Sequence, residues 1–342
     1  MQVDYTFQNQ TFQPGQRGMV TIPVTRMANG LIMELTVHVI HGKNPGPKLF
    51  LCAASHGDAF WSVDIVGRIL EQIDPQLLSG TILAVSCANP AGFEWESRNS
   101  PQDMNNMNRA YPGKAKGWFT EQMAAALSPL CREADYLIDW HGGNFAKSIH
   151  YCLMEQIPAD APAGLKETIH QMASAYGVTY YYGGAPDGPA AAYAGTLSEY
   201  MIALGKPAIV AECGGGMPLP EDIFSESVEG GLNVMRHLGM YPGDVRRPKK
   251  QYLFHKRPLV RATQGGIFCP VCDYHYAGRT VPKGTKIAEV RDPLTFDVVE
   301  EIYNPCEEGA FLSIRGFPSI VHPGSYAYII GEMAGATVWE NE

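Results

Sequence analysis

At 342 residues the chain is long enough to bury a large core and to form one to three domains. A formal charge of −9, with no long basic tract to offset it, argues against nucleic acid or an anionic membrane surface as partners. No run approaches the roughly 20 apolar residues that cross a bilayer, and MQVDYTFQNQ at the start has neither the charged nor the apolar region of a signal peptide.

The eight cysteines are scattered, several of them in apolar runs (Cys52, Cys87, Cys152). That fits reduced, buried thiols in a cytoplasmic protein better than a disulfide framework. Cys269 and Cys272 make one CxxC, which without a second pair reads as structural.

In chain order, residues 19–25 and 31–40 are β-rich runs separated by Ala28-Asn29-Gly30, a hairpin signal. Residues 49–54 are a short apolar run ending in Ser55-His56-Gly57-Asp58, which reads as a buried strand. A helix is expected over 59–73, with Val63, Val66, Ile69, Leu70 and Ile73 at helical spacing. A strand follows at 81–88, then a long polar loop at 89–117, of the kind that is usually functional or disordered. Next come a helix (118–133), a strand (136–140) ending in His141-Gly142-Gly143, and a strand (148–154). Helices are expected at 162–176 and 190–203 around a Tyr/Gly-rich loop. A strand at 207–211 ends in Glu212-Cys213-Gly214-Gly215-Gly216, and a helix covers 221–238.

Strands alternating with helices predict an α/β fold with a largely parallel sheet covered on both faces. Past Tyr241 the pattern changes to short apolar runs broken by Gly and Pro, which reads as a small all-β domain. The expected division is 1–245 and 246–342.

Three apolar runs end in a titratable group close to glycine: His56, His141 and Glu212. Such strand ends are where open α/β sheets build their ligand sites. Two imidazoles with nearby carboxylates suit a divalent cation, most simply Zn2+. Glu212 is a natural general base for a metal-bound water. Asp139 reads either as part of the metal cluster or as a carboxylate orienting an imidazole. Arg98, Asn108 and Arg109, in the polar loop, suit a substrate carboxylate or an oxyanion. Tyr180, Tyr181 and Tyr182, with Gly183-Gly184 and the set Trp95, Trp118 and Trp140, read as an aromatic pocket or as ordinary core.

Taken together, these motifs resemble one family. They are His56-Gly57-Asp58, Asn89-Pro90-x-Gly92-Phe93 with Arg98, Met107-Asn108-Arg109-x-Tyr111-Pro112-Gly113, Asp139-x-His141-x-Gly143, and Glu212-x-Gly214-Gly215. Their order is similar to that of the succinylglutamate desuccinylase/aspartoacylase family over residues 49–216. Gly265-Gly266-Ile267-Phe268 and Gly284-Thr285-Lys286-Ile287-Ala288 resemble the β-domain of its longer members. The resemblance implies a three-layer α/β/α zinc carboxypeptidase-like domain with a small C-terminal all-β domain. It implies a zinc amidohydrolase acting on an N-acyl amino acid or a similar small carboxylate-bearing amide. His56 and His141 become zinc ligands, Arg98 holds the oxyanion, Asn108 and Arg109 grip a substrate carboxylate, and Glu212 is the base.

One position departs from the family. Its first motif is His-x-x-Glu, the Glu being a zinc ligand, and here that place is Ala59. Three explanations stand: Asp58 takes over as ligand, the alanine was introduced to disable the site, or the protein is a non-catalytic relative. Asp58 is favoured because a short carboxylate already sits in the turn. A carboxypeptidase acting on short peptides and a small-ligand binding protein are the alternative functions. The partner expected is a small molecule, with homo-oligomer formation through the β-domain left open.

Overall fold

The computed structural model describes residues 1–143, 147–183, 194–215 and 221–341. Its described strands build one large mixed sheet. The order across it is Thr337–Glu340, Lys250–Phe254, Tyr180–Tyr182, His150–Leu153, Ala208–Gly215, Tyr136–Gly143, Asn44–Ala53, Ser79–Val85, Ile32–His41, Gln16–Arg26. The four consecutive strands from Ala208–Gly215 to Ser79–Val85 run parallel. From Leu49 onward they are buried because both faces are covered, so residues 49–53, 80–85 and 208–211 read as apolar runs rather than alternating ones. The Asn29-Gly30 hairpin pairs Gln16–Arg26 with Ile32–His41 at the far edge.

Helices cover the sheet in two groups. Trp61–Gln72, Leu165–Tyr176 and Glu221–His237 pack together, and Phe119–Glu133 packs with Leu197–Ala203. Trp140 shows how closely the first layer sits. Its indole Nε1 donates to Tyr176 Oη at 3.1 Å, and a Cβ on Gly231 would come within 3.2 Å of its ring. His141, the next residue, faces the opposite side because side chains alternate along a strand.

The C-terminal part contains two smaller antiparallel sheets around Phe268, Ile287, Val290, Phe311, Ile314 and Tyr328. This part is tied to the large sheet at several places. Lys147–Ser148 pairs with Glu308–Ile314, while Lys250–Phe254 and Thr337–Glu340 are strands of the large sheet itself. Both of the latter lie beyond the expected boundary at 245/246.

Some elements differ from their expected form. The strand expected at 148–154 is two pieces, Lys147–Ser148 in a small sheet and His150–Leu153 in the large one. The tyrosine-rich segment taken as loop holds the strand Tyr180–Tyr182, in keeping with the β-preference of aromatic residues. The loop at 89–117 contains a short helix, Pro90–Glu94, and a 3-10 turn, Met107–Arg109. The expected helix start at 190, and Gly184 and Gly216, lie outside the described residues.

Candidate active site

Strand register brings the strand-end residues together. Ala53 pairs with Trp140, His141 pairs with Glu212, and Glu212 pairs with Tyr151 on its other side. Directly paired residues share a face, so His141, Glu212 and Tyr151 form a row across three strands.

His56 is delivered by the turn after Asn44–Ala53. Ala54 adopts φ 50°, its N–H donates to Ser62 Oγ, and Ser62 Oγ donates to the Ala59 carbonyl. Gly57 lies so close to the next turn that a Cβ would meet the Gly92 carbonyl carbon at 1.9 Å, which only glycine permits. Gly92 belongs to the short helix capped by Asn89, whose Oδ1 accepts from Gly92 N at 3.0 Å and from Ser100 Oγ at 3.2 Å. The loop carrying Arg98 is thereby anchored against the turn carrying His56.

The two imidazoles stand edge to face with ring centroids 5.1 Å apart. Asn106 Oδ1 accepts from His56 Nε2 at 3.0 Å, and Asp139 Oδ2 accepts from His141 Nε2 at 2.8 Å. Both oxygens accept, so each ring carries its hydrogen on Nε2 and, when neutral, keeps a lone pair on Nδ1; the Asn108 Nδ2 amide, 3.4 Å from His141 Nε2, then faces an N–H and makes no hydrogen bond to it. Arg98 Nη1 donates to His56 Nδ1 at 3.3 Å. Burial first, then the Arg98 charge and the neighbouring His141, push the His56 pKa well down, so that ring is neutral. Burial opposes the charge on His141 too, yet Asp139 and Glu212 outweigh it and raise its pKa.

His56, His141 and Glu212 line one cavity of about 290 Å³, together with Asp58, Arg98, Asn108, Arg109 and Glu155. Asn108 is fixed from behind, its Oδ1 accepting from Leu197 N at 2.9 Å. Asp139 supports His141 from within the sheet. Ala59 is buried in the turn. The donor set fits a metal at two positions, His56 and His141. Among the described residues no group of three His, Cys, Asp or Glu side chains is arranged to hold an ion.

The cavity also takes in residues that the sequence did not single out: Tyr151 and, from the C-terminal part, Arg257, Leu259, Arg315 and Tyr328. Arg257 Nη1 donates to Tyr151 Oη at 3.3 Å, and its guanidinium lies 4.8 Å above the Tyr182 ring. Tyr151 sits in an ordinary apolar run and the two arginines in a β-rich tail, so no local signal marked them. The tryptophan set is not gathered here. Trp140 is core, and Trp95 and Trp118 are exposed.

N-alpha-acetyl-L-2,4-diaminobutyric acid deacetylase of Halomonas elongata is 25% identical over 328 residues, covering 93% of this chain and 92% of that protein. The product-bound ectoine utilization protein EutE (DoeB) from Ruegeria pomeroyi shares the fold at TM-score 0.80 and 21% identity, over 92% of this chain and 94% of that one. So does a succinylglutamatedesuccinylase/aspartoacylase from Rhodobacter sphaeroides, at TM-score 0.79 and 21% identity, over 93% and 95%. The family model for the succinylglutamate desuccinylase/aspartoacylase catalytic domain matches residues 45–238, more than half of the chain, and the protein belongs to that family.

Proposed function

We propose that the protein is a zinc-dependent deacylase that hydrolyses the amide bond of an N-acyl amino acid or a similar small carboxylate-bearing amide. The observation that carries this reading is the cross-strand pair His141–Glu212, facing one cavity with His56 and Arg98. The deacetylase relative supports it at the level of reaction class.

His56 and His141 would hold the zinc, and Asp58, which lines the same cavity but is not clustered with them, would have to turn toward them to serve as third ligand. When bound, zinc acidifies a water and polarises the scissile carbonyl. Glu212 takes the proton from the attacking water and passes it to the departing amine as the C–N bond breaks. Arg98 donates to the carbonyl oxygen as it gains charge. Asn108 and Arg109 hold the substrate carboxylate. Eight free cysteines support a cytoplasmic location.

The test is a screen of N-acyl amino acids with zinc supplied. It compares the protein with Glu212→Ala, Asp58→Ala and Ala59→Glu. Glu212→Ala should lose roughly 100- to 10,000-fold in kcat, the usual scale of acid–base catalysis. Asp58→Ala should lose bound zinc, whereas Ala59→Glu should leave zinc stoichiometry unchanged. A large gain in Ala59→Glu would show instead that a ligand is missing. Ala59 in place of the family's glutamate ligand favours a second reading, a small-ligand binding protein. Calorimetric binding without product, even in Ala59→Glu with zinc, selects it. Cleavage of short peptides but not of N-acyl amino acids selects a carboxypeptidase.

A further inference from the structure

Behind the Asp139–His141 pair lies a buried polar group that the proposed reaction leaves unused. Asp139 pairs in register with Cys52 on the neighbouring strand, so the two side chains share a face beneath the site. Three orphaned oxygens belong to this region: Asp139 Oδ1, Ser55 Oγ and Tyr111 Oη. Each is buried and has no hydrogen-bond partner among the described residues. Asp139 and Ser55 are fully buried, and Tyr111 is 5% exposed. Ser55 comes from the turn that delivers His56, and Tyr111 from the loop that delivers Asn108 and Arg109.

The electrostatics tie these groups together. Burial first, then Cys52, Asp139 and Cys131, push the Tyr111 phenol well up, and the nearby Ser55 hydroxyl opposes the rise. Burial also raises the Cys52 thiol, followed by Asp139 and Cys131, again opposed by Ser55. A carboxylate oxygen without a donor is costly in a dry interior, and so is a hydroxyl that donates to nothing. The three oxygens are complementary, since two hydroxyls can donate and the carboxylate only accepts. A single water satisfies all of them. Its two lone pairs accept from Tyr111 and Ser55, and one of its hydrogens goes to Asp139 Oδ1.

We propose that one internal water bridges Tyr111 Oη, Ser55 Oγ and Asp139 Oδ1, and that Tyr111 and Ser55 are positioning residues for the His141 imidazole. The water fixes the carboxylate through one oxygen while the other accepts from His141 Nε2. It also draws negative charge toward Oδ1, which moderates the bond to the ring. The catalytic consequence rests on the deacylase reading; the water and its effect on the ring do not.

The test starts with the full chain freed of metal. A high-resolution crystal structure should show water density within hydrogen-bond distance of all three oxygens. Tyr111→Phe removes one oxygen and keeps the ring, and the density should be lost or displaced. In NMR spectra of histidine-labelled protein, the His141 Nε2 proton should move downfield in both Tyr111→Phe and Ser55→Ala. Charge returned to Oδ2 strengthens the bond that this proton makes. In an Asp139→Asn background, Tyr111→Phe should shift nothing further. A purely structural role would lower the melting temperature and leave the proton where it was. With zinc supplied, Tyr111→Phe should lower kcat roughly 10-fold at unchanged KM, the lower end of the scale for outer partners of a metal site. Absent density, or a His141 proton indifferent to both substitutions, would overturn the proposal, as would unchanged kcat in an active enzyme. Density and proton shift without turnover of any N-acyl amino acid would support this inference while the deacylase reading fails.

Discussion

His141 owes its tautomer to Asp139, two residues earlier on the same face of one strand. The carboxylate is fully buried; one oxygen bonds the imidazole and the other, Oδ1, has no hydrogen-bond partner among the described residues. Asp139→Asn keeps an acceptor for His141 Nε2 but removes the charge that raises the ring's basicity. Under the proposed zinc reading, activity with zinc supplied should fall by roughly 10- to 100-fold, the usual effect of losing a carboxylate that orients a metal-binding histidine. Thermal stability should hold or rise, because a buried charge is removed. A drop in melting temperature parallel to the loss of activity would show that Asp139 serves the fold instead. The sequence showed the pair as Asp139-x-His141 but left the carboxylate's role open, because alternation alone does not say whether a paired side chain reaches a ring or a cation.

The turn between Asn44–Ala53 and Trp61–Gln72 is the element on which the site depends. It packs backbone to backbone against the capped helix Pro90–Glu94, and this contact sets His56 beside Arg98. Gly57→Ala must push the two turns apart. Overpacking of this kind costs about 1–3 kcal/mol, so the urea midpoint should shift accordingly. His56 and Arg98 should separate as well, lowering turnover more than the stability loss explains. A variant with unaltered midpoint and turnover would mean that the contact is loose in solution. Strand and helix positions near His56 were legible because apolar period and glycine punctuation agree there. The strand Tyr180–Tyr182 was not, since three aromatic residues beside glycines carry no distinguishable period.

At the scale of the whole molecule, the C-terminal part is interlocked with the large sheet rather than appended to it. Lys250–Phe254 pairs parallel with Tyr180–Tyr182, and Thr337–Glu340 closes the edge beyond it. Tyr151, Tyr182, Phe254, Ala310 and Leu312 form a shared apolar cluster. A chain ending at residue 245 loses these strands, leaving the Tyr180–Tyr182 edge and its apolar cluster uncovered. It should be recovered as aggregate on size-exclusion chromatography, whereas the full chain elutes as a discrete species. A discrete, folded 1–245 fragment would show that the two parts are independent.

The alternation of strands and helices, the change of character after Tyr241 and the placing of His56, His141 and Glu212 after apolar runs followed from the sequence by itself, the strand Tyr180–Tyr182 excepted. Each rests on a local pattern: hydrophobic period, turn residues and composition. Register and cross-sheet packing are long-range, and only the tertiary structure decided them. They placed Tyr151 beside Glu212, brought Arg257 and Arg315 from the C-terminal part to the same cavity, and set Asp58 on the cavity wall with Ala59 buried in the turn. No spacing along the chain encodes such contacts, because they are fixed by which strands become neighbours.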